Sequence, residues 1–374
     1  MIIYIATFLF SSFFIYSSEN LKIKSLNKVV RFLFIGLGIL IPSILAGVRD
    51  YTIGTDVLVY GNTWFNNAVN SISSQFYTKW ATSSSIGYLY AWFNFIISRL
   101  TSNPHFFYFW YSLIENIILY WALYKNRDLI DIRKGWLTYL AIFYNVTFNL
   151  LRNGMALIIL LWGFYYVRKN NLIKYIATVI IATLFHSTAI LGILIYLIYR
   201  ISNGKWNIFG KSFSIMLIIL FVTFFGIIGK HLGNSNLINT RYTTQFLNNT
   251  NAGGGFLVHL ILMSLPILIL YLISVKKVNH IYLREYNFFQ LIIIISFIMS
   301  FLNVINANLV RITWYFDIYY ILAVPFIISN GVQLKINGKS INNYIFIAYL
   351  ILYWGIIFGV LNSGQTVPFI FMRY

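Results

Sequence analysis

The chain contains no cysteine, eight carboxylates and five prolines in 374 residues, and only 9% of its side chains are charged. Without thiols it has neither disulfides nor thiolate metal sites. Its histidines, among them His186, His231 and His259, show no ligand spacing such as H-x-x-x-H, so no metal is expected. So little charge beside 59% hydrophobic residues excludes a water-soluble globule of this length. Met1 to Tyr16 has no basic leader and no small-residue cleavage site, and is read as a retained helix, not a signal peptide. No internal repeat is evident by eye, which weighs against a transporter.

What the sequence does have is apolar runs of about 15 to 22 residues from end to end, close to the ~20 residues an α-helix needs to cross a bilayer. Ile, Leu and Phe fill both faces of these runs, unlike the alternating strands of a membrane β-barrel. The expected fold is all-α: a polytopic transmembrane helical bundle with about 12 crossings, forming a single integral membrane domain over 1–374. Helices are predicted near 2–16, 32–48, 86–100, 105–124, 136–150, 154–167, 172–185, 187–200, 212–229, 256–275, 287–303, 312–328 and 343–361.

The formal charge of +19 has its explanation in topology, so no nucleic-acid partner is expected. The loops 17–31, 125–135, 168–174, 200–211, 276–286 and 329–343 hold 19 of the 27 Lys and Arg, which makes them cytoplasmic by the positive-inside rule. The 49–85 loop, the turns near Arg152, His186 and Arg311, and the 230–255 loop then face outside. Parity demands an odd number of crossings between Ser85 and Lys125, yet two apolar segments lie there. The Ser102-Asn103-Pro104 break marks one of them as a re-entrant or interfacial helix.

Asn and Ser residues interleave with Trp, Tyr and Phe in the 49–85 loop, a pattern that suits sugars and equally suits an interfacial aromatic belt. The 230–255 loop ends in Gly253-Gly254-Gly255 and reads as a lid or as a plain linker.

The expected outer side carries few basic residues, and Arg dominates them: Arg49, Arg152, Arg241, Arg311 and Arg373, beside Lys79 and Lys230, with Arg99 unplaced. Arg binds phosphate and diphosphate oxygens bidentately; snorkelling or structural ion pairing is the alternative for each one alone. The carboxylates expected outside are Asp50, Asp56 and Asp317. Asp50 reads as a partner of its neighbour Arg49, Asp56 as a turn or N-cap residue or a base, and Asp317 as a partner of Arg311. Glu115, inside a predicted helix, is costly at mid-membrane and must be protonated or face the bundle. His186 lies at an outer hairpin as a structural hydrogen-bonding residue or a proton acceptor.

Three segments resemble the EpsG-like, Wzy-type polymerases of bacterial exopolysaccharides, capsules and O-antigens. Arg49-Asp50-Tyr51-Thr52-Ile53-Gly54-Thr55-Asp56, with Tyr60, is similar to that family's R-x-x-x-x-G-T-D-x-x-x-Y signature. Leu151-Arg152-Asn153-Gly154-Met155-Ala156 is similar to its R-Q-x-x-A, with Asn153 in place of Gln. Leu184-Phe185-His186-Ser187-Thr188-Ala189 is similar to its F-H-x-S/T-A hairpin. Arg241-Tyr242 and Arg311 to Tyr315 fall where the family often has Arg and Tyr.

The resemblance implies a GT-C-like glycosyltransferase in the bacterial cell (inner) membrane, acting on its outer face without nucleotide sugar or other cofactor. It would transfer a glycan from polyprenyl diphosphate to a hydroxyl of a second lipid-linked repeat unit. Its partners would be polyprenyl-diphosphate-linked oligosaccharides, membrane lipid and a chain-length regulator protein. Candidate site residues are His186, Asp56 and Arg152 for catalysis, and Arg49, Arg152, Arg241 and Arg311 for the diphosphate. Tyr60, Tyr242, Tyr315 and Asp317 complete the set as weaker substrate contacts. A ligase on the same lipid, or a polysaccharide or lipid transporter, is the alternative.

Overall fold

The computed structural model of the chain describes residues 1–20, 25–83, 86–203, 212, 216, 220, 255–274, 278–305 and 310–372. Arg241, Tyr242, Arg373 and the whole 230–255 loop except its last residue lie outside the described residues, as does the side chain of Arg311. The contacts divide the chain into two compact units, Met1–Ile190 with Asn343–Tyr374, and Leu191–Asn342.

The first unit opens with α1 (Ile2–Asn20) and α2 (Ser25–Gly47), an antiparallel pair. Gly38 lets them approach, since a Cβ there would fall 2.7 Å from Ile15 Cδ1. Pro42 inside α2 has no N–H, so the Gly38 carbonyl loses its helical donor; the Ser11 hydroxyl of α1 donates to that carbonyl at 2.6 Å. A freed backbone acceptor in an apolar bundle needs such a donor. Trp136 Nε1 donates to the same Ser11 Oγ at 2.9 Å and ties in α7 (Ile132–Ile142).

The 49–85 segment, read in sequence as a loop, is largely helical. A π-helical turn Val57–Gly61 leads into α3 (Asn62–Asn70), then α4 (Ser74–Ser83) and α5 (Tyr88–Ser98). The 11 residues of α5 rise about 16 Å, half the hydrocarbon thickness. The following α6 (Pro104–Lys125) has 22 residues, a proline in its first turn and an Asn103 side chain accepting from the His105 N–H. The predicted 136–150 helix is broken: α7 ends before Phe143, and α8 (Tyr144–Thr147) and a turn precede α9 (Leu151–Arg168). Then come α10 (Leu172–Phe185) and a 3-10 stretch, Ser187–Gly192.

In the second unit, α11 (Ile193–Ser202), α12 (Gly255–Ser274) and α13 (Leu283–Ile305) precede α14 (Val310–Asp317) and α15 (Tyr320–Asn330). A small hairpin pairs β1 (Lys335–Ile336) with β2 (Lys339–Ser340). The last helix, α16 (Asn342–Trp354), belongs from Asn343 onward to the first unit and continues as a π-helical turn, Gly355–Val360.

Among the described residues, five helical stretches are long and apolar enough to cross a membrane: Ile2–Asn20, Lys28–Gly47, Pro104–Lys125, His280–Ser300 and Asn342–Val360. The protein is thus an all-α, membrane-embedded chain. Among the described residues no group of three or more His or acidic side chains is placed to hold a metal.

Candidate functional site

Antiparallel packing gives the first unit two chemically distinct ends. At one end α6 and α9 finish beside the starts of α7 and α10. There Arg31 pairs with Glu19, Arg133 with Asp131 and Arg168 with Asp128. A cleft of about 860 Å³ lies at this end, lined by Glu19, Lys125, Asp128, Asp131, Arg133 and Lys169 among others. Each of its carboxylates is engaged by an arginine.

Five of the candidate residues lie toward the opposite end, where α2 and α10 finish and α6 and α9 begin. Arg49 follows the last turn of α2, and its backbone bridges that of Phe371. Asp50 N–H donates to the Ile370 carbonyl and Met372 N–H to that of Val48, both at 2.8 Å. This pairing fixes the backbone and turns the Arg49 side chain inward to 2% exposure. Its guanidinium carbon lies 4.1 Å from the Phe148 ring centre and 4.8 Å from that of Tyr108, so the aromatic faces hold the charge.

The sequence-adjacent Asp50 accepts instead from Thr52, at 3.0 Å from N–H and 2.6 Å from Oγ1. Arg49 has no carboxylate in contact among the described residues, and its Nε has no hydrogen-bond partner there. Burial lowers its proton affinity, against the opposing fields of Tyr108, Tyr144, Tyr4 and Glu115.

The Gly54-Thr55-Asp56 turn is clamped from two sides. Gly54 has φ +90°, and a Cβ there would fall 2.7 Å from the Phe148 carbonyl oxygen, so only glycine fits. Asn149 Oδ1 accepts from Thr55 N–H at 2.6 Å and from its hydroxyl at 2.9 Å, while Asn149 Nδ2 donates to the Gly364 carbonyl. Asp56 lies just before the π-helical turn and makes no side-chain cap. Helical insertions of this kind recur at functional sites because they re-aim side chains.

Here the turn carries Tyr60 toward Arg152, whose guanidinium carbon lies 5.5 Å from the Tyr60 ring centre and 4.6 Å from that of Trp64. The two rings are themselves 4.2 Å apart, and Tyr108 donates to Asn62 Oδ1 at 2.7 Å from below.

Arg152 belongs to the first turn of α9, which no side chain caps at Leu150. Tyr111 of α6 donates to the Leu151 carbonyl at 2.9 Å, so α9 starts about two turns below the start of α6. Arg152, half-buried, therefore lies about two turns in from the start of α6. Gly163 packs α9 closely on Thr178 and Tyr175 of α10. Counting back along the antiparallel pair from that contact puts His186 level with Met155, one turn from Arg152. His186 ends α10 in an extended conformation with 9% exposure, its Nδ1 2.7 Å from Thr188 Oγ1. Gly87, before α5, packs against the Phe185 carbonyl beside it.

Arg49, Asp56, Tyr60, Arg152 and His186 thus share one end of the first unit. Tyr315 and Asp317 belong to the second, where Asp317 is buried and accepts from Ser296 Oγ. Sequence reasoning missed Trp64, Tyr108, Phe148 and Asn149 as the side chains that hold the motif residues; their sequence signal is only that of aromatic or polar residues near helix ends.

The profile of the EpsG family matches residues 32–371. No curated protein and no solved structure matches the chain.

Proposed function

The chain belongs to the EpsG family, and on that premise we propose that it is a polysaccharide polymerase working as a membrane glycosyltransferase of GT-C-like, Wzy type. Its donor is a glycan on polyprenyl diphosphate and its acceptor a hydroxyl of a second lipid-linked repeat unit. In this reading the fold makes about 12 crossings, with α5 as the segment that does not cross, as parity requires. The basic loops face the cytoplasm, and the Arg152 end faces outward.

The observation that carries the reading is the pair of arginines at one helix-bundle end, Arg152 on the Tyr60 and Trp64 rings and Arg49 on those of Phe148 and Tyr108. Reaction breaks the bond from the anomeric carbon to the diphosphate oxygen and forms one to the acceptor oxygen. Negative charge grows on the departing diphosphate, and a cation held in place beforehand stabilises it without reorganisation. Arg152 supplies that charge, and the uncapped α9 N-terminus adds its partial positive charge. Arg49, and from the second unit's sequence Arg311, with Arg241, are proposed for the remaining phosphate oxygens.

The acceptor proton passes to His186 or Asp56. Thr188 Oγ1, 2.7 Å from His186 Nδ1, orients the ring, and in the tautomer with its proton on Nδ1 the Nε2 nitrogen can accept one. Tyr60, Tyr242, Tyr315 and Asp317 are proposed as sugar or phosphate contacts. The aromatic rings around Arg152 favour a membrane-anchored substrate with an amphipathic head.

The test is a gel of surface glycan from a strain deleted for this gene and complemented with wild type, Arg152→Ala or His186→Ala at matched protein levels. Loss of the ladder to a single repeat unit, restored by wild type and reduced about 100-fold or more by either variant, is the expected result. Full-length chains in the deletion strain, or repeat units trapped on the cytoplasmic leaflet, would point to ligation or transport.

A further inference from the structure

The cleft at the ion-paired end of the first unit takes no part in the reaction described above, and its charges do not balance. Arg31 engages Glu19, while Arg133 and Arg168 hold Asp131 and Asp128 through bidentate hydrogen bonds. Pairs of this kind neutralise the carboxylates where they stand. Three further cations line the cleft, Lys125, Arg127 and Lys169, and none of them has an ion pair among the described residues. A space of about 860 Å³ is thus left with a surplus of positive charge.

Aromatic faces, not carboxylates, hold these three cations. Lys125 Nζ lies 5.3 Å from the Tyr165 ring centre and 5.9 Å from that of Trp121, and Lys169 Nζ lies 5.9 Å from the same Tyr165 ring. The Arg127 guanidinium carbon is 3.9 Å from the Tyr124 ring centre, and Arg127 also donates to the Tyr124 carbonyl at 2.8 Å. Two lysines gathered on one ring repel each other, and an anion within reach of both offsets that cost.

The surroundings say which kind of anion. Trp121, one turn before Lys125 on α6, is 47% exposed and begins an aromatic strip. Its ring centre is 5.3 Å from that of Trp162 on α9, and Trp162 is 5.5 Å from Tyr166. Both tryptophans precede the ends of their helices by a turn or more, so the strip lies on the mid-membrane side of the cations. Charge at a helix end with exposed rings one to two turns deeper suits an amphiphile. A soluble phosphate compound would use the cations and leave the strip bare.

We propose that this cleft binds the phosphate of an anionic membrane phospholipid, with Lys125, Arg127 and Lys169 as the cationic contacts and Trp121 and Trp162 beside the acyl chains. Basic pockets between membrane helices take such headgroups, and each cation near the anionic surface raises affinity about 5-fold. The site lies at the opposite end of the first unit from Arg152 and does not depend on the glycosyl-transfer reading.

The experiment is native mass spectrometry of the purified full chain in non-ionic detergent, with equal phosphatidylglycerol and phosphatidylcholine, and separately with inorganic pyrophosphate. Three cations predict a preference for phosphatidylglycerol of about 100-fold in wild type, falling to about 5-fold in Lys125→Gln with Lys169→Gln. Lys335→Gln with Lys339→Gln, which removes the same charge from the β1 and β2 hairpin, is expected to keep the wild-type ratio. A ratio unchanged in the cleft variant, or lowered equally in the hairpin variant, overturns the site. Pyrophosphate retained by wild type in the absence of any lipid preference assigns the cleft to a soluble phosphate compound and overturns the lipid.

If the double cleft variant fails to accumulate, Lys169→Gln alone decides, since that side chain is exposed. A ratio about 5-fold below wild type supports the site, and an unchanged ratio overturns it.

Discussion

Arg152 is held by two aromatic faces, Tyr60 at 5.5 Å and Trp64 at 4.6 Å, an arrangement worth roughly 0.5 to 2 kcal/mol for each well-placed ring. The face of Tyr60 does this work, not its hydroxyl. Tyr60→Phe is therefore expected to give a wild-type glycan ladder, while Tyr60→Ala lowers polymer about 10-fold. Equal loss in both variants would place the function in the hydroxyl. The motif residues were legible in the sequence because their spacing resembles a family pattern. Their partners were not: Arg49 leans on Tyr108 and Phe148, 59 and 99 positions away, and not on the adjacent Asp50. Glycine at 54 and asparagine at 149 are explained only by the turn they clamp, which no local pattern announces.

Among the elements, the α9 and α10 hairpin fixes where His186 ends up. Its close approach at Gly163 leaves no room for a side chain against Thr178 and Tyr175. Gly163→Leu is expected to separate the helices and destabilise the protein by about 1 to 3 kcal/mol, read as a lower midpoint of thermal unfolding in detergent. An unchanged midpoint would mean that the hairpin does not depend on this contact.

Long apolar helices were readable from composition, and α1, α2, α6 and α10 fall near their expected positions. The 49–85 segment was not, because its helices are short, polar and aromatic and lack the apolar length by which the others were found. The break at Phe143 and the split of the 312–328 prediction into α14 and α15 also escaped a reading of apolar runs.

At the scale of the whole molecule, the absence of cysteine makes orientation directly measurable. Single cysteines at Ile72, 99% exposed in the segment expected outside, and at Ile336, 60% exposed in a basic loop, report opposite sides. Ile72→Cys is expected to react with a membrane-impermeant maleimide on intact cells, and Ile336→Cys only after permeabilisation. The reverse pattern would invert the topology.

The ion-paired end also predicts an acid sensitivity. Arg168 hydrogen bonds hold Asp128 below the usual carboxylate value; Asp131, which burial alone would raise, is lowered by Arg133. A depressed carboxylate contributes stability above its unfolded pKa of about 4 and loses it as pH falls through the lower folded value. The unfolding midpoint is expected to fall with acidification through that window, and Asp128→Asn to flatten the response. A slope unchanged in Asp128→Asn would assign it to other groups.

The end of the bundle that carries Arg152 is proposed to transfer a glycan from polyprenyl diphosphate to a second lipid-linked unit. The most direct measurement incubates the purified full chain in lipid nanodiscs with a polyprenyl-diphosphate-linked repeat unit and follows product length and released polyprenyl diphosphate. Longer lipid-linked glycans and one released polyprenyl diphosphate per new linkage are expected, with both lost in Arg152→Ala. Lengthening that persists in Arg152→Ala, or no lengthening by wild-type protein that binds the lipid-linked unit, would rule out that role.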